Sequence, residues 1–227
     1  MLLIAEIGQN HCGDMKLARY LIDKAKVNGA DLVKFQLYDS EKLYGEKQTS
    51  ELTKNQAYDL FHYGKEQGIE VFFSVFDIER VDWCEEIGVK RYKVAYSQKY
   101  NRELWDKIAT TRKPIIASMK DGHPLIQYED STVYPLWCVP NYPASIEDYN
   151  IMSFVYWEGI SDHTIGIQVA QIALARGARI IEKHFAIDHN TGVDAPWSMI
   201  PSELKELDLF RKVVNISLNK KSMKGDL

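Results

Sequence analysis

The chain has 227 residues, of which 45% are hydrophobic and 26% charged, and its formal net charge is −4. This length and composition suit one large globular domain, and the acidic balance excludes a general nucleic-acid surface because such a surface needs an excess of basic residues. The three cysteines lie far apart without a CxxC motif, which excludes a disulfide framework and a thiolate zinc site.

The first half of the chain predicts four strand–helix units. A short apolar strand over residues 2–7 precedes a helix that Asp14 caps and that ends near Asn28 and Gly29. Further buried strands are predicted over residues 31–37, 69–75 and 91–95. The helices that follow these strands are predicted to begin at the capping residues Thr53, Asp77 and Asn101. Strand and helix therefore alternate regularly up to residue 113.

The second half continues this alternation with one interruption. Strands are predicted over residues 115–118, 133–139, 157–161 and 179–183. Between Lys120 and Thr132 there is no apolar stripe at helical spacing, so we expect a loop in place of the helix after strand five. Helices are predicted to begin at the capping or opening residues Ser145, Thr164 and Pro201.

Eight strands in alternation with helices predict a (β/α)8 barrel that forms a single domain over residues 1–227, with a frayed tail from about residue 220. A doubly wound open sheet is the competing architecture. The barrel explains the pattern better, because polar residues follow every strand rather than one switch point. There is no Gly-rich dinucleotide fingerprint or Walker loop.

Two histidines near the end of the chain predict the position of an active site. His163 and His184 each follow a short apolar run, with a helix-like segment between them, so they belong to one strand–helix–strand unit. Two imidazoles at the carboxyl ends of neighbouring parallel strands can meet over one divalent metal. A histidine that only caps a strand is the alternative, and the pair with its adjacent charged residues favours the metal.

Five motifs occur in the order typical of one known family. They are Ile4-Ala5-Glu6-Ile7-Gly8-Gln9-Asn10-His11, Val33-Lys34-Phe35-Gln36, Tyr142-Pro143, Ser161-Asp162-His163-Thr164 and Glu182-Lys183-His184-Phe185. Together they resemble the sialic acid synthase (N-acetylneuraminate synthase) family, which includes legionaminic and pseudaminic acid synthases. The resemblance extends over nearly the whole chain.

The resemblance implies a transferase that joins phosphoenolpyruvate to the aldehyde of an open-chain sugar and releases phosphate. It also implies that His163 and His184 hold a divalent metal, most often Mn²⁺, with Mg²⁺ or Co²⁺ as alternatives. Imidazole suits such a metal, and an open coordination position can polarise the sugar carbonyl.

Further site residues follow from the resemblance. Lys34 and Lys93 match lysines near the phosphate and carboxylate of phosphoenolpyruvate, with Ser74, Ser118 and Ser161 as neighbouring donors. The catalytic candidates are Glu6, Lys93, Glu182 and Gln98. The remaining substrate-binding candidates are Gln36, Asn141, Tyr142, Lys183 and Asp194. A structural ion pair is the alternative for each charged residue taken alone.

The chain departs from the family pattern in three places. After strand four a family carboxylate is replaced by Gln98, which cannot act as a base, and Tyr96 occupies a position that is usually small. After strand five the family Ser-Thr-Gly-Met is replaced by Ser118-Met119-Lys120-Asp121. After strand six Val139-Pro140 replaces a family Thr-Asn or Thr-Ser, and Asn141 is expected to compensate.

We also expect no C-terminal antifreeze-like domain of the kind the family carries, so that either the substrate differs or a homodimer or a separate chain completes the sugar site. Two other functions stay open. One is a metal-dependent aldolase or lyase that uses a different enol donor, and the other is a non-catalytic barrel that binds a ligand or a partner subunit.

The N-terminus has no basic segment before its first acid, and no apolar run approaches about 18 residues. These features predict a cytoplasmic protein whose partners are small molecules rather than a membrane.

Overall fold

The eight strands close into a parallel barrel in sequence order, with β1 hydrogen-bonded to both β2 and β8. The computed structural model describes residues 1–121, 128–150 and 157–222, the last five of these by their backbone alone. The strands are Leu2–Gly8 (β1), Leu32–Leu37 (β2), Glu70–Val75 (β3), Tyr92–Val94 (β4), Ile115–Met119 (β5), Val133–Cys138 (β6), Gly159–Asp162 (β7) and Ile180–His184 (β8). The predicted (β/α)8 barrel is therefore confirmed.

Helices in the described ranges surround the barrel. They are Met15–Val27 (α1), Ser40–Tyr44 (α2), Lys54–Gln67 (α3), Ile78–Ile87 (α4), Arg102–Ala109 (α5), Gln168–Ala175 (α6) and Pro201–Ser222 (α7). The described ranges also contain 3₁₀ turns at Tyr96–Gln98, Ile146–Asp148 and Ala195–Trp197. None of the helices in these ranges is both long and apolar enough to cross a membrane.

Four of the predicted capping residues, Asp14, Thr53, Asp77 and Asn101, begin α-helices as expected. Asp14 accepts a hydrogen bond from the backbone N–H of Lys16 at 2.7 Å, and Thr53 forms a reciprocal capping box with Gln56. Asp77 and Asn101 accept backbone N–H bonds at the starts of α4 and α5. These local bonds satisfy donors that a helix leaves unpaired at its first turn.

Two details of the connections differ from the sequence predictions. The long connection after β2 contains α2, which Asp39 caps and which the sequence analysis missed. The helix predicted from Thr164 begins at Gln168, because Asp162 accepts bonds from the backbone and hydroxyl of Thr164 and Gly166 has a φ of +77°. The chain therefore makes a turn after β7 before it enters α6.

Two predictions fall partly outside the described residues. Of the loop predicted between β5 and β6, residues 122–127 are not described, while residues 120–121 and 128–132 contain no helix. The final helix extends to Ser222, and the rest of the tail predicted to be frayed, residues 223–227, is not described.

A close approach of β7 and β8 brings the two histidines near each other. Gly159 of β7 faces β8, and a Cβ atom at this position would lie 1.8 Å from the carbonyl oxygen of Ile180. Only glycine allows this spacing. As a result, Ser161 pairs with Glu182 across the two strands, and His163 and His184 follow at the same end of the barrel.

Candidate active site

Inward-facing side chains near the carboxyl ends of the strands line one cavity. The predicted residues that line it are Glu6, Lys34, Gln36, Ser74, Lys93, Ser118, Tyr142, Ser161, His163, Glu182 and His184. The site of a (β/α)8 barrel is expected at this end, where the strand-to-helix loops meet. The structure therefore brings together most of the residues that the sequence analysis selected.

Two lysines form the inner wall of the cavity. Lys34 of β2 and Lys93 of β4 are 3% and 2% exposed. Lys34 donates a hydrogen bond to Ser74 of β3 at 2.7 Å, and Lys93 donates one to Ser118 of β5 at 2.7 Å. Each ammonium group is thus directed by a hydroxyl group on the next strand.

Two buried carboxylates face these lysines. Glu182 of β8 lies 3.8 Å from Nζ of Lys34 and 3.5 Å from Nζ of Lys93. It also accepts a hydrogen bond from Ser161 at 2.9 Å. Glu6 of β1 forms an ion pair with Lys34. The cluster is close to neutral overall, which makes the burial of four ionisable groups tolerable.

The two carboxyl groups are shifted in opposite directions. Burial opposes the ionisation of Glu182, but the charges of Lys34 and Lys93 lower the pKa of this carboxyl to about 2. Burial raises the pKa of Glu6 above its ordinary value, against the attraction of Lys34. Burial also lowers the pKa of Lys93, against the attraction of Glu182. Of the two carboxyl groups, Glu6 is therefore the one whose protonated form burial favours.

The two histidines lie beside this cluster with their ring centroids 5.5 Å apart. Nδ1 of His163 lies 2.9 Å from the carbonyl oxygen of Val139, and Nδ1 of His184 lies 3.3 Å from a carboxylate oxygen of Asp194. Burial lowers the pKa of His163 to about 3. Burial acts in the same direction on His184, but Asp194 and Glu6 raise the pKa of that imidazole overall.

These contacts fit a metal that two imidazoles hold. When Nδ1 of a histidine donates to a carbonyl, as Nδ1 of His163 can to Val139, the lone pair on Nε2 is left for a metal and the ring orientation is fixed. Asp194 lies beside Nδ1 of His184 as a charge contact. Within the described residues no group of three or more His, Cys, Asp and Glu side chains could hold a metal ion.

The loops after β6 and β8 lie across this end of the barrel. The ring of Tyr142 lies 4.2 Å from the ring of His163, and its residue is 52% exposed. Asp194 lies in the loop that follows β8, and its charge contact with His184 lowers the pKa of the Asp194 carboxyl although burial opposes this. Both predicted residues are therefore at the site.

Besides Asp194, which contacts His184 without lining the cavity, three predicted residues are not brought into the cavity. Gln98 accepts a hydrogen bond from Asn101 at 2.9 Å at the start of α5. Asn141 is exposed, and its amide lies 3.5 Å from a carboxylate oxygen of Asp148. Lys183 lies between Glu182 and His184 on β8, so the strand alternation directs it to the outer face of the barrel.

There Lys183 forms a fully buried ion pair with Asp162 at 3.1 Å and donates to the carbonyl of Thr164 at 2.6 Å. The prediction that Lys183 contacts substrate is corrected by this geometry. Its role in the structure is to join the ends of β7 and β8.

A comparison with families of known proteins matches residues 21–223 of the chain to the NeuB family. The chain belongs to the NeuB family.

Several named relatives of this NeuB-family chain are sugar acid synthases. The N,N′-diacetyllegionaminic acid synthase of Legionella pneumophila is 33% identical, over 90% of this chain and 69% of the relative. The human N-acetylneuraminate-9-phosphate synthase is 31% identical, over 90% of this chain and 67% of the relative.

A solved structure of a NeuB-type enzyme is similar over most of the fold. The crystal structure of N-acetylneuraminic acid synthetase from Leptospira borgpetersenii, in complex with citrate, has a TM-score of 0.87 and 29% identity. The similarity covers 96% of this chain and 84% of that one.

The sequence analysis of this NeuB-family member missed residues that shape the site. Ala95, Tyr96 and Cys138 also line the cavity. Asn10 accepts a hydrogen bond from the backbone of Asp194 at 2.9 Å and donates to Ser198 at 3.0 Å, so it holds the loop after β8. The polar run after β1 was a signal for Asn10, whereas no local pattern connects Cys138 with the cavity.

Proposed function

We propose that the chain condenses phosphoenolpyruvate with an open-chain aldose and releases inorganic phosphate, giving a 2-keto sugar acid. The observation that carries this proposal is the pair of buried lysines, Lys34 and Lys93, which face one cavity from separate strands beside two histidines. The names of the relatives support the same class of product.

The lysine wall suits the donor substrate. Phosphoenolpyruvate carries a phosphate and a carboxylate, and charge attraction is strong in a cavity shielded from water. Lys34 and Lys93 supply the cations, and Ser74, Ser118 and Ser161 supply hydroxyl groups as further donors. Glu182 stays ionised at neutral pH, so it keeps both lysines oriented when no anion is bound.

The proposed reaction forms one carbon–carbon bond and breaks one carbon–oxygen bond. The CH₂ carbon of phosphoenolpyruvate attacks the aldehyde carbon of the sugar, and the aldehyde oxygen takes up a proton. Water then adds to the carbon that carries the phosphate ester and loses a proton, and phosphate leaves from that carbon. Glu6 is the residue that we assign to proton transfer, because burial raises the pKa of its carboxyl above the ordinary value.

We propose that His163 and His184 hold a divalent metal, with Mn²⁺ as the first candidate. The chemistry that such an ion supplies is polarisation of the aldehyde carbonyl. The contact of Nδ1 of His163 with the carbonyl oxygen of Val139 and the charge contact of His184 with Asp194 support this assignment.

The test is incubation of the purified protein with Mn²⁺, phosphoenolpyruvate and a panel of aldoses, with phosphate release and mass spectrometry of products as readouts. We expect phosphate and a 2-keto acid only when all three are present. Turnover without phosphoenolpyruvate would identify an aldolase or lyase instead. Absence of products together with no calorimetric binding of Mn²⁺ or phosphoenolpyruvate would identify a non-catalytic barrel.

The histidine assignment has a separate test. We expect His163→Ala to lose Mn²⁺ affinity in calorimetry as well as activity. A variant that kept metal-dependent activity would exclude His163 as a ligand.

A further inference from the structure

A second space, which we call the vestibule, opens above the cavity at the mouth of the barrel. Its apolar and aromatic lining is Leu43, Tyr44, Phe76, Tyr96, Val193 and Trp197. The vestibule shares Gln36, Tyr142 and His184 with the cavity, so the two spaces are continuous. A ligand on its way to the two buried lysines therefore passes a mostly apolar entrance.

The cavity itself offers little net positive charge to an approaching anion. Lys34 and Lys93 face the carboxylates of Glu6 and Glu182, and Asp194 adds a negative charge beside His184. The whole chain carries a formal net charge of −4. Because opposite charges that lie close together cancel at a distance, the buried lysines attract an anion strongly only once it is near them.

Lys99 is the cation that lies on the way in. Among the described residues that line the vestibule it is the single lysine or arginine, and residues 122–127 and 151–156 contain neither. Its Nζ lies 3.9 Å from the ring centroid of Tyr96 and 4.9 Å from that of Tyr100. Within the described ranges Lys99 forms no ion pair with a carboxylate, so its positive charge is not neutralised.

The turn after β4 builds this arrangement. The 3₁₀ turn Tyr96–Gln98 follows the strand that carries Lys93, and the backbone N–H of Lys99 donates to the carbonyl of Tyr96 at 3.2 Å. The Tyr96 side chain lines both the cavity and the vestibule. A ring face holds an ammonium group and leaves its charge intact, whereas a carboxylate would cancel it. The large residue at a position that the family keeps small thus supports a cation.

Gln98 contributes to the same charge pattern. It is the position at which a carboxylate of the family pattern is replaced, and its side-chain oxygen accepts a hydrogen bond from Asn101 at 2.9 Å. A carboxylate next to Lys99 in the chain would oppose an incoming anion, and the neutral amide does not. Both departures from the family pattern, Tyr96 and Gln98, therefore keep the charge of Lys99 available.

We propose that Lys99 steers phosphoenolpyruvate from solvent through the vestibule, and that Tyr96 positions the ammonium group of Lys99 for this role. This inference rests on the proposed function, because it concerns the entry of the same donor. Lys99 acts while the donor approaches, and Lys34 and Lys93 hold the donor afterwards. Loss of the Lys99 charge therefore slows association and leaves dissociation unchanged.

The experiment removes this charge and compares the loss with a matched control. Lys99→Met keeps the length of the side chain. Lys24→Met is the control, because Lys24 on α1 also lies over a tyrosine ring, that of Tyr20 at 4.9 Å, and its loss changes the net charge equally. Stopped-flow protein fluorescence measures the association and dissociation rate constants for phosphoenolpyruvate with Mn²⁺ present, and calorimetry measures Kd, at low and at high salt.

At an ionic strength of about 0.02 M we expect the association rate constant of Lys99→Met to be about threefold to tenfold below that of wild type. Kd should rise by the same factor, and the dissociation rate constant should change less than about twofold. The difference should nearly vanish at about 1 M salt, where charges are screened beyond about 3 Å. Lys24→Met should bind like wild type at both salt concentrations.

Equal association rate constants for Lys99→Met and Lys24→Met would overturn the inference. Faster dissociation with unchanged association would also overturn it, since that result would mean direct contact with the bound donor. If phosphoenolpyruvate binds the wild-type protein but shows either of these results, the proposed function stands. Failure of the wild-type protein to bind phosphoenolpyruvate would overturn the proposed function and this inference with it.

The role of Tyr96 has its own test. Tyr96→Phe keeps the aromatic face under Lys99, and Tyr96→Leu removes it. The salt dependence of association should stay close to wild type in Tyr96→Phe and become weaker in Tyr96→Leu. A merely structural role of the ring would not change this salt dependence. Equal salt dependence in the two variants would overturn the positioning role of Tyr96.

Discussion

Two layers of side chains fill the inside of the barrel, and they differ in chemistry although they lie only two residues apart along the same strands. The lower layer is an apolar plug of Ile4, Leu32, Phe72, Ile116, Leu136 and Ile180. Two residues further along the same six strands, the upper layer consists of Glu6, Lys34, Ser74, Ser118, Cys138 and Glu182. Because residues two apart on a strand share a face, the side chains of both layers point into the barrel.

The difference shows how the barrel separates stability from function. The plug buries apolar surface, which favours folding at about 25 cal/mol per Å². The upper layer buries charges, and these are tolerated because each lysine faces a carboxylate and a hydroxyl group. Substitutions in the lower layer should therefore change stability, and substitutions in the upper layer should change chemistry.

The largest effect is expected in the plug. Phe72 is fully buried, and Phe72→Ala should lower the free energy of unfolding by about 3–5 kcal/mol, because it removes buried surface and leaves a cavity. Urea unfolding measures this change. Below the unfolding transition, calorimetric affinity for phosphoenolpyruvate should stay within a few-fold of wild type, and a larger loss would show that the layers are not separate.

The next effect is expected at Lys93 of β4, whose ammonium group contacts Ser118 and Glu182 of the upper layer. Lys93→Met keeps the length of the side chain and removes its charge, so kcat/KM for phosphoenolpyruvate should fall by about 10²- to 10³-fold. Steady-state kinetics and calorimetry measure the loss. Lys107→Met is the control, because Lys107 forms its ion pair with Asp82 at 2.6 Å on the helical surface. Unchanged affinity for phosphoenolpyruvate in Lys93→Met would exclude Lys93 from the anion site.

Lys183→Met tests a lysine on the opposite face of the sheet. It leaves the buried carboxylate of Asp162 without its cation, so the free energy of unfolding should fall by about 2–3 kcal/mol. Affinity for phosphoenolpyruvate should change by less than a few-fold, since Lys183 does not line the cavity. A loss of affinity as large as that of Lys93→Met would restore the sequence prediction of substrate contact.

The smallest effect concerns a histidine that belongs to neither layer. His11 is fully buried, and burial lowers its pKa to about 4. As pH falls, the imidazole of His11 therefore takes up a proton at a higher pH in the unfolded chain than in the folded protein. The stability that the neutral ring contributes is complete above about pH 6.5 and is lost as pH falls toward 4.

Between pH 6.5 and pH 5 this loss amounts to about 1–2 kcal/mol. His11→Asn keeps an acceptor near the backbone N–H of Gly13, which lies 3.2 Å from Nδ1 of His11, and removes the titration. Urea unfolding at several pH values should give a shallower decline for the variant than for wild type. Parallel curves for the two proteins would contradict the assignment.

Much of the fold could be predicted because its signals are local. The capping side chains of Asp14, Thr53 and Asp77 bond to backbone groups within three residues, so their sequence positions indicate where the helices begin. The helix after β7 was placed too early. The position of its first residue depends on Asp162, which accepts a hydrogen bond from Thr164 and another from Lys183 on the next strand. The local sequence does not reveal this contact between strands.

For the site, the sequence predicted the direction of some side chains correctly and of others wrongly. Alternation indicated that Lys34 and Gln36 share a face, and both line the cavity. The same rule would have assigned Lys183 to the face opposite Glu182 and His184, and the sequence analysis did not apply it there. Gln98 lies in a 3₁₀ turn and Asn141 in the loop after β6, where no simple period fixes the direction of a side chain.

The sequence by itself determined the barrel, its strand order and the end at which polar groups collect, because hydrophobic period and helix caps act over a few residues. The tertiary structure alone decided which charges meet. Glu182 lies between two lysines whose strands are far away along the chain, and the vestibule joins side chains from separate loops. The shifted pKa values and the apolar mouth arise from these long-range contacts, since both depend on what surrounds a group in space.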